Sequence, residues 1–259
     1  MSYVEDMFGL KGKNAVIVGG GGVLAGAMAE GLAKAGANIA ILDLNLENAQ
    51  KQADVITALG VKSIAVQVNV ISEESILEAK KEVDEKLGRA DVLINAAGIN
   101  SATPFFELKM EEWDKIMNVN LRATILACQI FGQDMVEDGK GGSIINISSV
   151  SSGPPLSKVF TYSASKAAIN NITQNLGREW AKDKVRVNAI APGFFPAEQN
   201  RKVLTEDRVN AIMRHTPVER FGDPTELVGA TIWLASEKAS SFVTGSIVRV
   251  DGGYTAMTI

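Results

Sequence analysis

Residues 14–24 read Asn-Ala-Val-Ile-Val-Gly-Gly-Gly-Gly-Val-Leu, a short apolar run followed directly by four glycines. The small-residue segment 24–35 comes next and is followed by Gly36, a residue type that commonly ends a helix. This order predicts a strand, a tight turn and a helix. Such a turn can bring backbone N–H groups and a helix amino terminus up to a phosphate group. A glycine-rich turn that binds nothing, or another nucleotide, is the alternative.

The alternation of apolar runs and amphipathic segments continues along the whole chain. Apolar runs predict six further strands, at residues 38–42, 63–68, 92–95, 143–147, 186–190 and 247–250. Amphipathic segments predict helices at residues 46–59, 73–87, 110–137, 160–180 and 224–235. This pattern is typical of an α/β protein with a single-domain Rossmann fold, a seven-stranded parallel sheet with helices on both faces. We expect one domain over residues 1–259.

One long stretch, residues 194–220, carries no clear periodicity and follows the sixth predicted strand. Ligands of parallel sheets bind at the carboxyl ends of the strands. We therefore expect residues 194–220 to form a lid over a bound substrate.

Composition limits the classes of partner. A net charge of −4 and a pI near 5.3 argue against a nucleic acid or an anionic membrane surface. Cys128 is the only cysteine and His215 the only histidine, which excludes a disulfide framework and a Cys/His zinc cluster, so no metal is expected. The first residues carry acids where a secretory signal carries bases. We expect a cytoplasmic protein that binds a small molecule.

Tyr162 and Lys166 stand four residues apart in a predicted helix and so share one face of it. Ser149 lies just after a predicted strand, close enough to join them. A unit charge at about 4 Å in a partly buried site is worth about 4 kcal/mol. That free energy moves the pKa of a tyrosine from about 10 to about 7. We expect Lys166 to lower the pKa of Tyr162 and make the phenol a general acid/base.

Asp43 ends the second predicted strand, where a carboxylate can accept both ribose hydroxyls of adenosine and repels a 2′-phosphate. No lysine or arginine lies in the glycine turn or directly after Asp43. This arrangement favours NAD over NADP. A helix N-cap role for Asp43 is the alternative.

Residues 95–98 and Asn120 are further candidates for the functional site. Residues 95–98, Asn-Ala-Ala-Gly, end the fourth predicted strand with small side chains that allow close approach of a cofactor, although a simple turn is the alternative. Asn120 is an amide in an apolar helical stretch, where it needs a partner. We expect Asn120 to anchor a water molecule or backbone near Lys166.

Taken together, the chain resembles a short-chain dehydrogenase/reductase over nearly its whole length. The resemblance rests on residues in the family's order and spacing: the glycine turn, Asp43, residues 95–98, Asn120, Ser149, Tyr162, Lys166, Pro192, Gly193 and residues 251–253. It implies a catalytic tetrad of Asn120, Ser149, Tyr162 and Lys166. Tyr162 would exchange the proton, Ser149 would bind the substrate oxygen, Lys166 would hold the nicotinamide ribose and Asn120 would support a water relay.

The resemblance also implies NAD(H) along the carboxyl edge of the sheet and a homotetramer. The cofactor-binding residues that it implies are Gly20, Gly22, Val23, Leu24, Asp43, Leu44, Asn69, Val70, Asn95, Ala96, Ala97, Gly98, Tyr162, Lys166, Pro192, Gly193 and Phe195. Three positions depart from the family pattern. Gly19 and Ala197 stand where threonines are usual, and Leu24 replaces a glycine, so contacts with the cofactor are expected to differ.

Residues 19–24, the Phe194-Phe195 pair and residues 199–201 are similar to a subgroup that includes D-mannonate oxidoreductases, fructuronate reductases and gluconate 5-dehydrogenases. Relatives of the mannonate type carry an insertion after the fourth strand that this chain lacks. We expect interconversion of a secondary alcohol and a ketone on a sugar acid or polyol. The expected substrate-binding residues are Asn100, Ser149, Ser151, Tyr162, Gln199, Asn200 and Arg201, with Arg201 on the carboxylate. A 3-oxoacyl thioester reductase and a non-catalytic NAD-binding regulator are the alternatives.

Overall fold

The computed structural model describes residues 2–154, 156–196 and 205–257. Its sheet has seven parallel strands in the order β3-β2-β1-β4-β5-β6-β7. The strands are β1 (Asn14–Val18), β2 (Asn38–Asp43), β3 (Ser63–Gln67), β4 (Val92–Asn95), β5 (Gly142–Ile147), β6 (Val185–Pro192) and β7 (Ile247–Val250). This order confirms the predicted Rossmann fold, because the order reverses between β1 and β4 and opens a crevice there.

Ten α-helices are found in the described parts of the chain. They are α1 (Tyr3–Phe8), α2 (Val23–Lys34), α3 (Leu46–Thr57), α4 (Glu73–Lys86), α5 (Met110–Met117), α6 (Ala123–Glu137), α7 (Phe160–Glu179), α8 (Glu206–Arg214), α9 (Val228–Ala235) and α10 (Glu237–Ser240). No helix in these segments is both long enough and apolar enough to cross a bilayer.

The two faces of the sheet build two hydrophobic cores. Ala15 and Ile17 of β1 face a core shared with α2, α3 and α9, whereas Val16 and Val18 face a core shared with α4 and α6. Side chains alternate between faces along a strand, so a strand covered on both sides must be apolar throughout. Each fully buried Ile or Leu stabilises the fold by about 2 kcal/mol.

Three predicted elements differ in kind from the structure, and the other predicted strands and helices agree with it to within two residues at each end. The helix predicted at 110–137 is interrupted by a π turn (Asn118–Arg122), in which the Ala123 N–H donates to the carbonyl of Asn118, five residues back. The helix predicted at 224–235 begins as a 3₁₀ turn (Pro224–Leu227), capped as expected by Asp223. The stretch 194–220, expected to be irregular, contains α8, while residues 197–204 lie outside the described residues.

Candidate active site

The side chains of Asn120, Ser149, Tyr162 and Lys166 come together past the carboxyl ends of β4 and β5. The Tyr162 phenol lies beside Ser149, which follows β5. The Lys166 Nζ lies 5.6 Å from the centroid of the Tyr162 ring, one turn along α7. A Cβ built on Gly98 would lie 3.4 Å from Asn120 Oδ1 and 3.6 Å from Lys166 Nζ. Elements far apart in the sequence thus converge on one point at the carboxyl edge of the sheet.

Asn120 sits in the π turn, is fully buried and holds the backbone that follows β4. Its Oδ1 accepts the Ile99 N–H at 2.8 Å, and its Nδ2 donates to the Ile99 carbonyl at 3.0 Å. The same Nδ2 donates to Ser165 Oγ at 3.0 Å. Asn120 therefore ties the Ile99 segment to α7, which agrees with the backbone anchor expected from the sequence. π turns occur often at functional sites because the extra residue redirects side chains.

Lys166 is buried, and its Nζ donates to the Ile147 carbonyl at 2.7 Å. Burial lowers the pKa of Lys166 to about 8, since removal from water disfavours the charged form. Burial also raises the pKa of Tyr162, and the hydrogen bond with Ser149 opposes that rise. The expectation that Lys166 lowers the Tyr162 pKa is therefore wrong for the protein alone. The physical reason is that burial of the phenol disfavours its ionised form, while the Lys166 ammonium lies by the ring and bonds the Ile147 carbonyl.

Ser149 is held by its neighbour Ser151. The Ser149 Oγ accepts the Ser151 N–H at 3.2 Å and lies 3.1 Å from the Ser151 Oγ, which donates to it. Ser151 is expected from the sequence to bind substrate, but it is 2% exposed and its hydroxyl donates a hydrogen bond to Ser149. Ser149 has two lone pairs, and Ser151 fills both, so the single Ser149 proton is left for Tyr162 or a substrate oxygen.

The glycine turn after β1 lies against the turn after β4. Gly19 has a positive φ of 77°, and a Cβ there would lie 2.6 Å from the Ala97 nitrogen. A threonine at this position would therefore clash with the backbone of Ala97. The N-cap residue of α2, Gly22, has no side chain to cap the helix, which leaves N–H groups of the first turn free for a phosphate. The residues present fit a dinucleotide, and the glycines form the cradle.

Asp43 faces the same turn. Its Oδ2 accepts the Gly21 N–H at 3.0 Å, and its Oδ1 accepts the Asn45 N–H at 3.0 Å. The N-cap of α3 is Asn45, whose side chain accepts the Asn48 N–H, so the N-cap alternative for Asp43 is wrong. Asp43 and the exposed Leu44 line an open depression at the end of β2. A ribose and an adenine ring would fit this place in the fold.

Comparison with known proteins decides the family. The family model described as enoyl-(acyl carrier protein) reductase matches residues 22–255. The 5-keto-D-gluconate 5-reductase of Escherichia coli strain K12 is 37% identical, over 96% of this chain and 98% of its own. The chain belongs to the short-chain dehydrogenase/reductase family. As a member, it is an oxidoreductase that acts on CH–OH groups.

Two solved short-chain dehydrogenase/reductase structures superpose on the chain with a TM-score of 0.93. One is a gluconate 5-dehydrogenase from Burkholderia cenocepacia J2315 in complex with NADP and tartrate, 34% identical, covering 99% of this chain and 100% of its own. The other is a Haemophilus influenzae protein provisionally named a D-mannonate oxidoreductase, with bound NAD, 38% identical and covering 99% of each chain.

The other residues expected to bind the cofactor in this dehydrogenase/reductase do not all expose their side chains at the carboxyl edge of the sheet. The side chain of Asn95 turns inward, where its Nδ2 donates to Asn146 Oδ1 at 2.9 Å and contacts Cys128 Sγ at 3.3 Å. Only the backbone of Asn95 therefore remains for a ligand. Val23, at the start of α2, is 57% exposed and open to a ligand, whereas Leu24 packs partly against the core.

The remaining cofactor candidates lie at strand ends. Asn69 and Val70 follow β3, and Asn69 Oδ1 accepts the Ile71 N–H at 3.4 Å. Pro192 ends β6 and Gly193 follows, where a Cβ would lie 2.7 Å from the Asp251 Cα. Gly20 leaves no room for a side chain, because a Cβ would approach Ile41 to 2.9 Å.

The region assigned to the lid is described in part. Asn100 is exposed beside Gly98, but Gln199, Asn200, Arg201 and Ala197 lie outside the described residues. The Phe195 ring packs on Gly222, where a Cβ would lie 2.2 Å from it. Phe194 meets Tyr254 edge to face at 5.2 Å between ring centroids. Sequence reasoning missed Tyr254, because nothing in the local pattern links the end of the chain to the lid.

Proposed function

We propose that the protein interconverts a secondary alcohol and a ketone on a sugar acid, with NAD(H) as its cofactor. The observation that carries this proposal is the contact of Tyr162 with Ser149 beside Lys166, at the same sheet edge as the glycine turn. The sugar acid is supported by the names of relatives that match nearly end to end, a 5-keto-D-gluconate 5-reductase and a gluconate 5-dehydrogenase.

The nicotinamide ring supplies the hydride chemistry when bound, and the side chains handle the proton. Because Ser151 fills the lone pairs of Ser149, the Ser149 hydroxyl donates to the substrate oxygen and fixes its position. Tyr162, protonated at neutral pH because burial raises its pKa, gives its proton to the ketone oxygen during reduction. In oxidation the same phenol must first lose its proton and then accept one from the alcohol.

The two directions are expected to respond differently to pH. Oxidation needs an ionised phenol, so its kcat/KM is expected to rise from about pH 6 toward pH 8. Reduction needs the protonated phenol, so its kcat/KM is expected to stay flat over the same range. Above pH 8 reduction should fall as Lys166 loses its charge. Initial rates in both directions test this, and oxidation that slows with rising pH in this range would contradict it.

NAD is proposed over NADP because the Asp43 carboxylate lies against the Gly21 N–H, where a 2′-phosphate would meet a like charge. We expect kcat/KM for NAD to exceed that for NADP by about 10²-fold. Asp43→Asn keeps the shape, removes the charge and should reduce this ratio at least about tenfold. Asp54→Asn on α3 is the matched control and should leave the ratio unchanged. An equal preference in the wild type would overturn the assignment.

The substrate is tested by measuring NADH formation or consumption with a panel of compounds. The panel contains gluconate and other aldonates, 5-keto-D-gluconate in the reverse direction, polyols and 3-hydroxyacyl thioesters. Turnover confined to sugar acids supports the proposal. Turnover of thioesters alone would replace it with acyl reduction, and binding of NAD without any turnover would support the regulatory alternative.

A 3-oxoacyl thioester reductase is the second candidate, and one observation favours it. Phe160 starts α7 two residues before Tyr162, and its ring meets Phe105 edge to face at 5.1 Å between centroids. Phe106 extends this cluster and is fully exposed. Apolar rings near the proposed reacting groups would suit an acyl chain better than a polyol.

We also propose a homotetramer. Phe106 and Phe242 are fully exposed in a single chain, and contact with a partner chain would remove both rings from water. Light scattering coupled to gel filtration should give about four times the chain mass of 27.5 kDa. The mass of a single chain would contradict this assembly.

A further inference from the structure

A second cavity lies at the opposite edge of the sheet from the proposed active site. It has a volume of about 330 Å³ and is bordered by the segments that enter β1, β4, β5 and β6. α1 and α10 close its other side, held together by Ser236 Oγ donating to the Met7 carbonyl and by the Lys238 pair with Asp6. Pockets of this size hold small molecules rather than single ions.

Arg186, the second residue of β6, lines this cavity and forms no ion pair within 4 Å in the described segments. Its side chain is 7% exposed, and its Nη1 donates to Ser240 Oγ at 2.8 Å. No carboxylate within the described segments lies within 4 Å of the guanidinium; Glu237 acts on it from farther away. Buried charges are normally paired, and a guanidinium has five N–H donors. Burial lowers the pKa of Arg186 to about 10, which reflects this desolvation.

Two lysines add to the positive charge of the cavity. Lys11 and Lys184 line it, and neither forms an ion pair with any residue that the structure describes. Lys184 is held in a left-handed conformation with φ of 62°, unusual for a residue other than glycine. A Cβ on Gly141 would lie 2.5 Å from the Lys184 carbonyl, so the neighbouring turn fixes this part of the wall.

Acids also border the cavity, but most are already engaged. Asp91 pairs with Lys13 at 3.3 Å, Asp6 pairs with Lys238, and the Glu5 carboxylate accepts the Ser2 N–H. Glu237 is the remaining acid on the wall. The cavity is lined in total by six basic residues (Lys11, Lys13, Lys140, Lys184, Arg186 and Lys238) and four acidic ones (Glu5, Asp6, Asp91 and Glu237), a net charge of about +2. The balance favours a ligand with two negative charges.

We propose that this cavity binds a small dianion, such as a phosphate ester or a dicarboxylate, with Arg186 as its central contact and Lys11 and Lys184 at its rim. Arginine binds such oxyanions through two parallel hydrogen bonds. Arg186 and Pro192 are separated by about 20 Å along β6. A ligand here cannot touch the reacting groups and would be distinct from substrate and cofactor.

The test is a thermal melt of the NAD-saturated protein, so that phosphate cannot act at the glycine turn. Inorganic phosphate and malonate are titrated separately at constant ionic strength set with chloride. We expect a saturable rise in Tm of about 3 °C with at least one dianion. A response to phosphate alone indicates phosphate esters, and a response to malonate indicates dicarboxylates.

Three variants decide whether the cavity is responsible. Arg186→Met should abolish the dianion-dependent rise, and Lys184→Gln should weaken it about fivefold or more in apparent Kd. Lys81→Gln, an exposed lysine on α4, removes the same charge elsewhere and should keep the full response. If Arg186→Met does not fold, the comparison of Lys184→Gln with Lys81→Gln tests the proposal instead. No stabilisation beyond chloride, or equal responses of Lys184→Gln and Lys81→Gln, would overturn the proposal.

Discussion

Replacing Tyr162 with phenylalanine is expected to lower kcat about 10³-fold while cofactor affinity stays within about threefold of the wild type. The substitution removes one hydroxyl, the group that lies beside Ser149 and would exchange the proton. The ring remains, so the packing beside Lys166 is preserved. Steady-state kinetics with the best substrate of the panel, together with fluorescence titration of NADH, measure both quantities.

Tyr3→Phe is the matched control for this change, because Tyr3 lies on α1 and is 77% exposed. The control should keep full activity. A Tyr162→Phe variant that turns over at the wild-type rate would remove the phenol from the mechanism. Equal loss of NADH affinity and rate would instead assign Tyr162 to binding.

Lys166→Met is expected to lower activity without a parallel loss of stability. The ammonium lies by the Tyr162 ring and next to Gly98, so its loss should lower kcat/KM about 10²-fold or more. Stability should not fall in parallel, because burial of the ammonium costs free energy that methionine does not. An unfolded lysine titrates near 10.5, whereas the pKa of Lys166 is about 8, a difference of about 3 kcal/mol.

This difference in the pKa of Lys166 between the folded and unfolded chain makes the free energy of unfolding depend on pH. Between pH 8 and 10 the unfolded chain binds a proton that folded Lys166 does not, so the free energy of unfolding rises with pH. In Lys166→Met this contribution should vanish. Urea unfolding of both proteins at several pH values measures it, with the exposed Lys182→Met as control. Parallel slopes for wild type and Lys166→Met would show that Lys166 is not desolvated in solution.

The fold could be predicted because strands covered on both faces must be continuously apolar. The runs that became β1 and β4 ended at the predicted residues for this reason. β7 also ended at the predicted residue, although it is an edge strand that is only partly buried and contains Arg249. The four side chains of the proposed site, Asn120, Ser149, Tyr162 and Lys166, could be located from their order and spacing in the sequence. Strand ends meet at one edge of the sheet, and residues four apart share one face of a helix. Their roles in catalysis stay predictions.

Other features depend on packing that no local pattern records. The π turn adds one residue without changing the apolar character of the segment, so residues 110–137 still read as one helix. The pKa of Tyr162 follows from burial by distant elements, and the bond from Lys166 to the Ile147 carbonyl could not be read from their spacing. Ser151 looked like a free hydroxyl, because its contact with Ser149 arises only in the turn after β5.

The close approach of Gly19 to Ala97 indicates at which stage of folding the nucleotide-binding site forms. The two residues belong to turns that follow β1 and β4, and they meet only once those strands lie side by side. The phosphate cradle is thus a product of long-range pairing, which closes late because a long loop must be ordered first. A nascent chain that has made only β1 and α2 would contain every glycine of the motif and still lack a complete site. Nucleotide affinity therefore reports the completed centre of the sheet.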